Sequence, residues 1–363
     1  MTRRAALILA GGKARRFQLG QGEWRDKALA ELSGKPMLVH VVENARKVVD
    51  EVWVCVNEEA RKANYVYTLK DYSLGEVGFA VDEQISHVSG PNVAIMTGLK
   101  AAKADYCITL PCDMPLMNPK ITQYLFDAAE DAQAQVTVPM WPNGRIETLV
   151  MALERESATQ IMETLCRLRR PRSDDVVRGA EKVLFVSPVG KIHTLDPELK
   201  SFVNINRYED LSKLRTRLAK GTIKEDFKVT LGAVPLQELG HLREAAALSL
   251  RHKFEEAQTV FASCAAELEK QHSPFWAGIS RENQAETLLA WSQHQSEVGK
   301  AVELDFRGKD AFLAAAENYR LEAKMHFEGG RRFLAERAWA DKAWCESWVM
   351  GKAGYTDRYP PKY

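Results

Sequence analysis

Short apolar runs alternate with helix-patterned stretches from residue 5 to about residue 220, and this alternation restricts the fold more than any other property of the chain. The runs are Ala5 to Ala10, Glu51 to Val56, Gly78 to Val81, Tyr106 to Leu110, Val136 to Pro139, Leu149 to Leu153 and Val183 to Val186. Strands spaced by helical segments predict an α/β domain with a mostly parallel sheet. The helix expected after Pro36 carries Leu38, Val41, Val42, Ala45, Val48 and Val49 on one face, with the proline where a first helical turn tolerates it.

At 363 residues the chain exceeds the roughly 250 to 300 residues at which single cores stop growing, so two domains are expected. The punctuation Lys220-Gly221-Thr222 and Val234-Pro235 marks the boundary, beyond which strand signals cease. We read residues 1–225 as the sheet domain and 236–363 as an all-α C-terminal domain. In the latter, Leu250, Phe254, Ala257, Phe261, Cys264 and Leu268 recur at helical steps, as do Phe312, Ala316, Tyr319 and Ala323, and Gly329-Gly330 separates two helices. Trp276, Trp291, Trp339, Trp344 and Trp348 are expected in the packing between helical hairpins. No 34-residue period of the tetratricopeptide kind is sustained.

Lysine and arginine total 50 against 49 acidic residues, a formal charge of +1, so no global basic field draws the chain to nucleic acid. No apolar stretch approaches the roughly 20 residues that span a bilayer. Neither nucleic acid nor membrane is expected as a partner. Cys55, Cys107, Cys112, Cys166, Cys264 and Cys345 are scattered without a Cys-x-x-Cys pair, and Met1-Thr2-Arg3-Arg4 opens no signal peptide, which predicts buried thiols in a cytoplasmic protein. Cys107 and Cys112 are close enough to raise a metal or redox pair, but no histidine neighbours them.

The first strand runs into Leu9-Ala10-Gly11-Gly12-Lys13-Ala14-Arg15-Arg16. Glycines allow close backbone approach, successive N–H groups converge on anions, and Lys and Arg add counter-charge, so the turn points to a phosphate and hence a nucleotide; a tight turn alone is the plainer reading. Arg16 and Lys27 have the charge to neutralise a triphosphate, or to form a solvated basic loop. Asp113, within Pro111-Cys112-Asp113-Met114-Pro115, is a rigid carboxylate at a strand end, suited to magnesium or to capping the next helix near Lys120. Asp82, ahead of Ser89-Gly90-Pro91-Asn92, either sits in a turn or accepts hydrogen bonds from a base or ribose. The basic run Arg167, Arg169, Arg170, Arg172 offers an anion site or a solvated helix end. A P-loop sequence is missing, and Gly20-x-Gly22 lacks the third glycine of a dinucleotide fold.

Taken with Asp26-Lys27, Gly34-Lys35-Pro36, Asn57, Arg145-Ile146-Glu147-Thr148 and Phe202-Val203-Asn204-Ile205-Asn206, these motifs resemble, in order and over about residues 5 to 216, the molybdenum cofactor guanylyltransferases. The resemblance implies a Rossmann-like nucleotidyltransferase domain that moves GMP from magnesium-GTP to the terminal phosphate of molybdenum-molybdopterin. Leu9, Ala10 and Gly11 would frame guanine and phosphates, and Gly12 fits the guanine branch. Lys27 and Asn57 would contact the nucleotide, Asp82 would read guanine or ribose, and Asp113 would bind both GTP and Mg2+. Arg16, Lys27 and Asp113 are the implied catalytic set. The chain departs from the family at Phe17-Gln18 and the longer stretch to Trp24, and the helical region lies outside the resemblance. That region is expected to receive a molybdoenzyme or maturation protein, to hand over the pterin, or to dimerise. Two other functions stay open: nucleotidyl transfer to a sugar phosphate or cobamide precursor, and GTP binding by a non-catalytic delivery protein.

Overall fold

The computed structural model describes residues 2–12, 26–85, 88–205, 221, 223–233 and 235–351. Arg16, with Lys13, Arg15 and Asn206, lies outside the described residues. Two compact units emerge, one of Met1–Val177 with Lys182–Val229 and one of Arg178–Glu181 with Thr230–Tyr363.

In the first unit, strand β1 (Arg4–Leu9) is followed by a small antiparallel hairpin, β2 (Glu31–Leu32) with β3 (Lys35–Pro36), and by helix α1 (Met37–Arg46). Next come β4 (Glu51–Val56), α2 (Glu59–Leu69), β5 (Gly78–Val81), α3 (Pro91–Ala101), β6 (Tyr106–Pro111) and α4 (Pro119–Ala132). The chain continues through β7 (Val136–Pro139), β8 (Met151–Glu154), α5 (Arg155–Arg167), α6 (Asp174–Gly179), β9 (Lys182–Val186), α7 (Lys191–Leu195) and β10 (Phe227–Thr230), with the last two residues of α6 and the last of β10 counted in the second unit. The main sheet has eight strands in the order β10-β9-β7-β8-β6-β1-β4-β5. The expected mostly parallel α/β sheet is present: β1 pairs in parallel with β4 and β6, β4 with β5, and β7 with β9, while β8 runs antiparallel to β6 and β7.

The apolar runs are strands because both faces of the sheet are covered. Ala5, Ala6, Leu7 and Ile8 of β1 are all fully buried, and each large side chain so placed contributes roughly 1.5 to 3 kcal/mol. From β1 the chain steps outward through β4 to β5, and α3 then returns it to β6 on the other flank of β1. This reversal leaves a crevice outside the carboxyl ends of β1 and β6, where open α/β sheets bind ligands.

Two local readings are corrected. Helix α1 ends at Arg46, so Val48 and Val49 reach the core from beyond it. The run read as starting at Leu149 is strand only from Met151, because the Leu149 carbonyl accepts from Thr109 Oγ1 instead of joining a ladder. The segment read as a boundary holds β10, an edge strand whose residues alternate between half-buried and exposed.

The second unit contains α8 (Leu236–Leu250), α9 (Phe254–Lys270), α10 (Pro274–Gln293), α11 (Val298–Glu328) and α12 (Arg332–Val349). Leu250 ends α8 with 65% of its surface exposed, so it does not share the buried face that Phe254, Ala257, Phe261, Cys264 and Leu268 form on α9. Trp276 and Trp344 are buried, whereas Trp339 is 43% exposed and does not pack in the core. At the centre Arg178 donates through Nε and Nη2 to Glu322, at 2.7 and 2.8 Å, and its Nη1 lies 2.8 Å from Asp341. All three side chains are fully buried. Among the described residues, no helix is long and apolar enough to cross a membrane.

Candidate functional site

The ends of the parallel strands are tied to one another by the main chain. Ala10 N donates to Cys55 O at 2.9 Å, Asp82 N to Val56 O at 2.8 Å, and Cys112 N to Leu9 O at 3.2 Å. Residues just past β1, β4, β5 and β6 therefore converge. A side chain at position 11 would put its Cβ 3.0 Å from Asn57 N, so glycine is what lets the first turn lie against the end of β4. Gly90, at φ +125°, shapes the entry to α3, with Pro91 in its first turn.

These ends enclose a cavity of about 600 Å³, within the range of about 300 to 1,000 Å³ typical of small-molecule sites. Leu9, Ala10, Gly11, Gly12, Lys27, Asn57, Asp82 and Asp113 all line it, so the structure brings together every predicted site residue that it describes. Gly90, Pro91, Cys112 and Leu149 complete part of the wall.

Lys27 Nζ donates to Asp113 Oδ2 at 2.6 Å. The other oxygen, Asp113 Oδ1, is buried and accepts no hydrogen bond, and the same is true of Asn57 Oδ1 and Asp82 Oδ1. Buried acceptors left unmatched are costly, so three of them around one cavity mark a place where donors or a cation are to be bound. Burial raises the Asp82 carboxyl from its ordinary 3.8 to about 6. Asp113 does not cap the following helix. Asn118 does so, accepting from Lys120 N at 3.0 Å, and the Asp113 main-chain carbonyl accepts from Ile205 N at 3.0 Å.

Sequence reasoning missed the brace behind the loop. Buried Arg61 donates through Nη1 to the carbonyls of Ala10 (3.2 Å) and Gly12 (3.1 Å), while its Nε lies 3.5 Å from Asp26 Oδ2. Tyr65 OH donates to Ala10 O at 3.2 Å and meets Asp26 at 3.0 Å, and Asp26 in turn accepts from Ala28 N at the start of the short 3-10 helix carrying Lys27. The available signal was spacing, since Arg61, Tyr65 and Leu69 fall on one buried face of α2.

Two other expectations change. Arg170 of the basic run is neither solvated nor open to an anion: it is buried, its Nε donates to Asp175 at 3.2 Å, and its carbonyl accepts from Asn92 Nδ2 at 2.6 Å. Arg172 pairs with Asp174 at 3.1 Å, leaving only Arg167 and Arg169 at the surface. Burial pushes the Cys107 and Cys112 thiols up to about 12, so neither is a reactive thiolate. Arg145 is exposed and does not line the cavity.

Residues 6–182 match the MobA-like NTP transferase domain. The chain is 33% identical over 212 residues to the probable molybdenum cofactor guanylyltransferase of Methanosarcina acetivorans, covering 58% of this chain and 89% of that protein. It is 29% identical over 218 residues to the molybdenum cofactor guanylyltransferase of Shewanella frigidimarina, covering 59% and 97%. A nucleotidyl transferase of known structure from Methanothermobacter thermautotroptrophicus is 18% identical, with 59% of this chain and 96% of that one covered at a TM-score of 0.43. The matched family domain ends before α8, so the helical unit lies outside it. The chain, with a strand-end cavity carrying the family's motifs, belongs to the molybdenum cofactor guanylyltransferase family of nucleotidyltransferases.

Proposed function

We propose that this enzyme transfers GMP from magnesium-GTP to the terminal phosphate of molybdenum-molybdopterin, forming molybdopterin guanine dinucleotide and releasing pyrophosphate. One observation carries the reading: the Lys27–Asp113 pair stands in the same cavity as the Gly11-Gly12 turn, with Asp113 Oδ1 buried and unmatched. A single carboxylate oxygen is the share of protein ligation that magnesium takes when phosphates and waters supply the rest, so the residues fit that ion. Bound there, magnesium would supply charge neutralisation on the phosphates.

The chain's own groups do the positioning. The loop from Leu9 to Gly12 receives the phosphates, Asn57 orients the nucleotide, and Asp82 as a carboxylate accepts from the adjacent N1–H and N2–H of guanine. Lys27 faces the oxygens on which charge grows as pyrophosphate departs, an interaction strongest in the transition state. The acceptor phosphate has a second pKa of about 6 and is largely dianionic at neutral pH, so no general base is needed. Its oxygen bonds to the α-phosphorus in line with the breaking α–β bridge. Arg16 is assigned to the same charge neutralisation on the strength of its motif.

Pyrophosphate release from magnesium-GTP, assayed with molybdenum-molybdopterin and separately with sugar phosphates, tests the acceptor. Turnover with the pterin alone is expected, and turnover confined to sugar phosphates overturns the reading. Asp113→Ala should abolish metal-dependent turnover while the fold persists.

A further inference from the structure

The helical unit holds a second constellation, unrelated to the nucleotide cavity. Glu238 and His241 stand three residues apart on α8 and so share a face, with Glu238 Oε2 3.6 Å from His241 Nδ1. Cys264 of α9 lies opposite them, its sulfur within 4.8 Å of the Glu238 carboxylate and the His241 imidazole. The carboxylate, imidazole and sulfur atoms that could bind a metal all lie within 4.8 Å of one another, and no other three His, Cys, Asp or Glu residues among the described residues come together in this way. Burial grades across the set. Cys264 is 2% exposed, whereas the His241 side chain is 42% exposed, so the sulfur is anchored in the core while the imidazole side faces solvent.

We propose that Glu238, His241 and Cys264 form a zinc site that staples α8 to α9, with water as the fourth ligand on the exposed side. The donor set selects the ion. Magnesium and calcium take oxygen ligands, whereas one thiolate, one imidazole and one carboxylate match a borderline-soft cation. Zinc bonds of about 2.0 to 2.3 Å put tetrahedral donors about 3.3 to 3.8 Å apart, a spacing that the Glu238–His241 pair already has. Binding breaks the Cys264 S–H bond; the sulfur electron pair goes to the cation and the proton to solvent. The Glu238 carboxylate turns to the ion, and nothing is oxidised or reduced. The alternative is a buried thiol beside a glutamate and a histidine, with no affinity for metal.

The test uses the full chain, kept reduced and freed of metal by dialysis against a chelator, then titrated with cobalt(II) and back-titrated with zinc. One equivalent of cobalt should produce tetrahedral visible bands and a thiolate-to-metal charge-transfer band, both lost as zinc displaces it, and zinc should raise the melting midpoint. Cys264→Ser should remove the charge-transfer band, and His241→Ala should weaken zinc binding at least about tenfold. His241 is exposed, so its replacement tests the site even where Cys264→Ser fails to fold. Absence of the band in the parent chain, its persistence in Cys264→Ser, or unchanged zinc affinity in His241→Ala each overturns the proposal.

Discussion

Lys27 and Asp113 are 86 residues apart in the chain, yet Lys27 Nζ lies 2.6 Å from Asp113 Oδ2. One comes from the short 3-10 helix behind the first loop and the other from the turn after β6. Each side chain is only partly exposed, so the pair holds a cation and an anion side by side at the cavity wall, where charge interactions are stronger than in water.

Lys27→Met removes that cation while keeping the aliphatic stem. We expect kcat for pyrophosphate release to fall about 10²- to 10³-fold, the scale of losing one preorganised charge-stabilising group, with KM for GTP changed much less. Steady-state kinetics at saturating acceptor check this; a loss confined to KM contradicts a transition-state role.

Arg61 reaches the loop through the main-chain carbonyls of Ala10 and Gly12. Arg61→Met should cost about 1 to 3 kcal/mol of stability by leaving those carbonyls unmatched, and should raise KM for GTP about tenfold or more while kcat drops less. Tyr65→Phe, which loses the hydroxyl contacts to Ala10 and Asp26, should follow the same pattern more weakly. Denaturant unfolding together with the KM and kcat of each variant separates a loosened loop from a damaged reaction.

The Asp82 carboxyl, raised by burial to about 6, titrates close to neutrality. GTP affinity should therefore decline as pH falls through about 6 and the acceptor carboxylate takes up its proton, by about tenfold for a hydrogen bond to a charged group. The sign for stability is opposite. Because the folded value lies above the unfolded one, the folded chain binds this proton more tightly between the two, and stability is lost as pH rises from 3.8 through about 6. Asp82→Asn should flatten both profiles, giving a higher melting midpoint than the parent at pH 8 and pH-independent binding of GTP between pH 5 and 7. Calorimetry and thermal melts across this range decide it.

Glu322 meets Arg178 inside the helical unit with no solvent access. Burial alone would push its carboxyl up, but the Arg178 guanidinium, with His326, holds it below the usual carboxylate range. Glu322→Ala leaves Arg178 with Asp341 but takes the acceptor from its Nε and Nη2, and should destabilise this unit by about 1 to 3 kcal/mol. Since the folded value is depressed, the native pair contributes above the unfolded value and fades as pH falls through the folded one, so the deficit of the variant should be present at pH 7 and shrink in acid. Circular dichroism melts at several pH values measure it.

Chain order and apolar content alone were enough to place β1, β4, β5, β6, β7 and β9; β1, β6 and β7, covered on both faces, read as apolar runs, while half-buried edge strand β5 was marked by its place in the alternation. They also placed Gly11 and Asp113 at strand ends, where a parallel sheet gathers its ligand contacts, whereas Asn57 came only from the family resemblance and Asp82 was read as a turn residue or a contact to base or ribose. Only the packed chain decided which polar groups face inward. The basic run with Arg170 read as an anion site or a solvated helix end because its partner Asp175 and its buried setting are invisible to a local charge count, and nothing in the local sequence linked Arg61 to the carbonyls of Ala10 and Gly12. Glu238, His241 and Cys264 belong to the same class, brought together by the packing of two helices. Hydrophobic periodicity is a property of consecutive residues, whereas the partner of a buried charge is chosen by contacts between residues far apart in the chain.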